Sequence, residues 1–208
     1  MDKIKFYVIA VILMYFATAT SGQGTNFDTT IKGFQTSYLD EATGNLQGAV
    51  DDLKKIYDED SYEINLRLGW LSYSSGQFTE SSSYYNRAVA LKPFAIEPRF
   101  GVILPTAAMG NWEIVINQYK KILEIAPSNT LAMHRLGLVY YGRKEYDKAE
   151  MQFDKVVNLF PFDYDGLLML AWTKFQLKKY REAKVLFNKA LMNTPGGQSA
   201  IEGLELLD

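Results

Sequence analysis

The chain has 208 residues, 48% hydrophobic and 22% charged, an ordinary globular balance and long enough for one elongated domain. Its 22 basic and 24 acidic residues leave a formal charge of −2, without the basic surplus of a protein that grips a phosphate backbone, which argues against nucleic acid as a partner. There is no cysteine, which excludes disulfides and attachment through a lipidated N-terminal cysteine; packing alone must hold the fold.

Residues 1–19 open the chain with Lys3 and Lys5, then the apolar run Phe6–Phe16, then an Ala17-Thr18-Ala19 exit. This is the pattern of a secretory signal peptide cleaved after Ala19, which would make the mature protein periplasmic or secreted. An uncleaved membrane anchor is the alternative. Phe6 to Ala19 spans only about 21 Å as a helix, short of the roughly 30 Å hydrocarbon layer, which favours cleavage.

Residues 20–26 form a glycine-containing lead-in. Residues 27–61 then read as a degenerate helix pair: Phe27, Ile31, Phe34 and Tyr38 recur at helical spacing, and after Gly44-Asn45 so do Leu46, Val50, Leu53 and Tyr57.

From residue 62 the chain becomes periodic. Pro93, Pro127, Pro161 and Pro195 stand 34 residues apart, each closing an apolar helical stretch. Proline lacks a backbone N–H and clashes with the preceding turn, so each marks a helix end. In the same register come Tyr85, Tyr119, Phe153 and Phe187, and before them Phe78, Trp112, Tyr146 and Tyr180. Ala88, Ile122, Val156 and Ala190 hold a third position; Gly69, Gly137 and Ala171 a fourth, where the second unit has Ile103. In the third unit Leu131, Leu136, Tyr140 and Tyr141 give one apolar face, and Ala149, Phe153, Val156 and Val157 a second. Helices this short are marginal alone and must pair and stack to hide such faces, so the shared aromatics are expected in the core. One unit is irregular: Pro105 falls inside its first helix and predicts a kink, or a break near Leu104.

These residues resemble the tetratricopeptide repeat (TPR) family over residues 62–195, in four units of approximately 62–95, 96–129, 130–163 and 164–197. The fold expected is all-α, a TPR-type α-solenoid of antiparallel helix pairs. Residues 198–208 are expected to form a C-terminal capping helix, with Ser199 and Glu202 as its capping box.

The resemblance also implies a binding face. In such repeats the first helices line a concave surface, and positions two, five, nine, twelve and thirteen point into it. Here these are Trp70 and Tyr73 in the first unit, and Phe100 and Leu104 in the second. His134, Leu138 and Tyr141 follow in the third, and Asp165, Leu168, Trp172 and Phe175 in the fourth; Arg67 and Arg135 stand beside them at position six. Leu66 and Trp70 occupy places where the family's carboxylate clamp needs a basic residue and an asparagine, so that clamp is disfavoured. The alternative role for these rings is to fill space, or to be covered by the N-terminal pair.

Nothing in the sequence assembles a catalyst. His134 is the only histidine, and nucleophile elbow, phosphate loop and metal-binding histidine pair are all missing. Asp51-Asp52 and Asp58-Glu59-Asp60 read as solvated or capping groups. The expectation is a non-catalytic interaction scaffold without cofactor or metal, binding a protein segment on the concave face. A self-associating subunit or a membrane-tethered scaffold is the alternative.

Overall fold

The computed structural model describes residues 27–207; the expected signal peptide and lead-in fall outside the described residues. Eleven helices and no strand occur among them. They divide into two compact units, one ending at Lys92 and the other beginning at Pro93.

The first unit contains α1 (residues 27–42), α2 (Leu46–Lys54), α3 (Tyr62–Ser74) and α4 (Phe78–Leu91). The second contains α5 (Glu97–Ala108), α6 (Trp112–Ile125), α7 (Thr130–Gly142), α8 (Tyr146–Leu159), α9 (Tyr164–Gln176), α10 (Tyr180–Asn193) and α11 (Gln198–Glu205).

Within each repeat a three-residue turn folds the second helix back against the first. The middle residue of that turn keeps one conformation: Gly76 and Gly110 have φ of +75°, and Lys144 and Lys178 hold the same position with φ of 62° and 60°. This left-handed conformation is free for glycine and strained for lysine. The first helices α3, α7 and α9 are capped by Ser61, Asn129 and Asp163, whose side chains accept from the backbone N–H of Ile64, Ala132 and Gly166.

The core of the first unit is built from Ala49, Val50, Leu53, Ile64, Leu68 and Leu71. In the second unit the repeated positions fill the core: Tyr119, Phe153 and Phe187, with Ile122, Ala190 and Ala171. Small residues on the first helices make room for these rings. A Cβ on Gly137 would lie 2.7 Å from the Phe153 ring, and one on Gly69 would lie 2.8 Å from Tyr85.

Four expectations need correction. Trp112 and Tyr180 carry the shared aromatic pattern but are 46% and 48% exposed, at the first positions of α6 and α10, and neither packs into the core. Leu131 likewise lies exposed in the first turn of α7. Of the kink or break expected at Pro105, the break near Leu104 does not occur: α5 runs continuously from Glu97 to Ala108. Ser199 is not a cap, since α11 starts one residue earlier, with Gly197 as its N-cap. A side chain at Gly197 would meet the Tyr164 hydroxyl at 2.6 Å.

Candidate protein-binding face

The expected face residues of the second unit share one environment. Phe100, Leu138, Tyr141, Leu168, Trp172 and Phe175 are all half-buried and pack against the same core. Each ring is held by a neighbour in its own hairpin. Phe100 stands edge-on to Tyr119 (centroids 6.3 Å apart), Tyr141 to Tyr146 (5.3 Å), and Phe175 lies tilted against Tyr180 (5.5 Å). Trp172 is held most firmly. It meets Phe187 at 5.0 Å and Phe175 at 5.6 Å, and its Nε1 donates to the Ser199 hydroxyl at 3.0 Å. The α11 helix is therefore pinned to α9 through the residue expected to cap it. Leu104 is half-buried on α5.

His134 sets its ring edge-on to Phe153 at 5.5 Å, and its Nε2 is buried with no hydrogen-bond partner. Burial pushes the imidazole pKa below its ordinary value, with Asp165 pulling the other way. A neutral ring packed in this way is a structural group, and among the described residues no cluster of three or more His, Cys, Asp or Glu could hold a metal.

In the first unit the face is already covered. The Arg67 guanidinium pairs with the Glu41 carboxylate and lies 3.9 Å from the centre of the Tyr38 ring. The other Glu41 oxygen accepts from Trp70 Nε1 at 2.8 Å. Arg67 holds the Glu41 carboxyl below the ordinary carboxylate range, and burial only partly offsets this. Trp70, 41% exposed, is thus bound to α1, and Tyr73 packs between it and Phe78. Covering by the N-terminal pair was the alternative the sequence left open for these rings, but it did not name Glu41 and Tyr38, since spacing along the chain carries no signal for a contact 26 residues apart.

The second unit has an open crevice of about 490 Å³ between α5, α6 and α7, lined by Ile103, Trp112, Tyr119 and Leu138 with Arg135 and Arg143 at its edges. It sits where the repeat is irregular. Ile103 replaces the small residue that lets the helices close, and α5 meets α6 less extensively than α7 meets α8. A dense ion cluster lies elsewhere: Lys174 joins Glu150 and Glu182, each at 2.7 Å, and Lys179 closes on Glu150. These ion pairs brace α8, α9 and α10; among the described residues Asp154 beside them makes none, and burial raises its pKa above the ordinary value.

Models of the tetratricopeptide repeat match residues 62–94, 131–162 and 164–196. Over these stretches, a little under half of its length, the chain is built of tetratricopeptide repeats. A human relative, protein O-mannosyl-transferase TMTC1, is 29% identical over 112 residues, covering 54% of this chain and only 13% of its own length. Among solved structures, a tetratricopeptide repeat protein from Parabacteroides merdae is 22% identical with a TM-score of 0.74, over 86% of this chain and 72% of that one. YrrB, a TPR protein with an unusual peptide-binding site, is 15% identical with a TM-score of 0.70, over 89% of this chain and 97% of its own. At these identities the structural likeness shows the fold, that of a TPR α-solenoid.

Proposed function

We propose that this protein is a non-catalytic interaction scaffold that captures a segment of another protein on the face formed by the first helices of its second unit. The carrying observation is the row of half-buried apolar and aromatic groups from Leu138 to Phe175, beside an open crevice lined by apolar walls and two arginines. Aromatic groups pre-ordered by their neighbours give contact area at low entropic cost. The peptide-binding site named for the YrrB structure supports the reading by analogy of fold.

Export is part of the proposal: Lys3, Lys5, the apolar run and Ala17-Thr18-Ala19 would direct the chain to the periplasm or outside the cell. No helix among the described residues is long and apolar enough to cross a membrane. Intact-mass measurement of protein recovered from its native host tests this part, since retention of residues 1–19 would instead make it a membrane-tethered scaffold. Self-association is a second reading, favoured by the exposed apolar groups Phe27, Ile31 and Leu39 on α1.

An array of overlapping peptides probed with the purified chain tests the main reading. Saturable binding of a subset of segments, weakened by Tyr141→Ser, is expected. Uniform failure to bind, or binding that ignores changes on α7 and α9, would defeat it.

A further inference from the structure

The first unit shows what an arginine at position six of a repeat accepts here. Arg67 pairs with the Glu41 carboxylate through its Nη2 and sets its guanidinium carbon over the Tyr38 ring, 3.9 Å from its centre. Tyr38 and Glu41 are three residues apart on α1, so one face of a single helix supplies both.

Arg135 holds the same position two units later and is exposed. It forms no hydrogen bond or ion pair among the described residues, whereas Arg143, the other cation at the crevice, is committed to Glu113 and Glu145. The crevice lining contains no carboxylate. On the opposite flank Arg135 borders a second depression with Asp163 and Asp165, which repel an acidic group and direct it toward the α5–α6 side.

We propose that Arg135 and the crevice between α5, α6 and α7 form a docking site for a helical segment of a partner protein that carries a carboxylate three residues after an aromatic ring. The carboxylate pairs with Arg135, and the ring lies against the Arg135 guanidinium, as Tyr38 does on Arg67, beside the crevice walls of Ile103, Trp112 and Tyr119. α1 presents this pair of groups to Arg67. The site rests on the protein-binding reading above and gives it a ligand chemistry.

The probe is a labelled peptide of residues 27–45, which contains Tyr38 and Glu41, titrated into the full chain. Saturable binding is expected, weakened roughly tenfold by Glu41→Gln or Tyr38→Ala in the peptide and by Arg135→Ala in the protein, as for loss of one charge-assisted contact. Because a lost interaction can have many causes, a charge swap is decisive: Arg135→Glu protein should recover binding to the Glu41→Lys peptide. Undiminished binding of the Glu41→Gln peptide, or indifference to Arg135→Ala, overturns the site while leaving the broader protein-binding reading to the peptide array. Absence of any binding overturns the site directly. Sedimentation that finds dimers lost in both Arg135→Ala and Glu41→Gln proteins overturns the choice of occupant, which would then be a second copy of this chain.

Discussion

Trp172→Ala should cost stability before it costs binding. The indole makes edge-on contacts with Phe187 and Phe175 and donates to Ser199 on α11. Two aromatic pairs contribute about 0.5–1.5 kcal/mol each beyond buried area, and the hydrogen bond about 0.5–1.5 kcal/mol. Truncating a fully buried tryptophan costs about 3–5 kcal/mol. For this half-buried ring we expect about 2–4 kcal/mol, since part of its surface stays in water whichever side chain is present. At about 2–4 °C per kcal/mol for a chain of this size, melting should fall by roughly 4–16 °C. Far-UV circular dichroism measures the melt, and hydrogen exchange should show α11 losing protection first. Ser199→Ala isolates the hydrogen bond and should loosen α11 with a smaller change in melting. A Trp172→Ala protein that melts within about 2 °C of its parent and keeps α11 protected would refute the reasoning. The ring would then be a free binding element rather than a strut.

Glu41→Gln should release α1 from α3 by about 1–3 kcal/mol, because Arg67, with only 9% of its side chain exposed, loses its counter-charge; faster proteolysis within residues 27–42 checks this. His134 favours its neutral form when folded, so its contribution is full above pH about 6.5 and is lost as pH falls from there through its lower folded value. Urea unfolding across that range should show the decline, and His134→Gln should flatten it. Gly203→Ala should destabilise by about 1–3 kcal/mol, since its Cβ would lie 2.3 Å from the buried Phe187 ring; an unchanged denaturation midpoint would contradict that packing. Lys178→Gly should raise stability by about 1 kcal/mol by removing the left-handed strain at φ 60°, again read from the denaturation midpoint.

The helical core was legible because its determinants are local and repeated. Tyr119, Phe153 and Phe187, spaced 34 residues apart, are buried where the period put them. Pro105 misled as a break because one missing N–H, the donor that the Gly101 carbonyl would have had, is a local defect, and the burial of Val102, Ile103 and Pro105 outweighs it. Ser199 looked like a cap from its spacing to Glu202, but its hydroxyl serves Trp172 from another helix. The partners of Arg67 were hidden for the same reason: Tyr38 and Glu41 arrive through tertiary folding, which hydrophobic periodicity does not encode.

The Glu41 contact has a consequence for valence. A carboxylate tethered to its own receptor acts at an effective concentration in the millimolar range. A free ligand at micromolar levels therefore faces a rival roughly a thousandfold more abundant at Arg67. The first unit stays closed to such a ligand by mass action alone, so the chain presents one vacant guanidinium of this kind instead of two. A variant lacking the Glu41 side chain would leave the Arg67 guanidinium without its tethered carboxylate and open it to a carboxylate from outside.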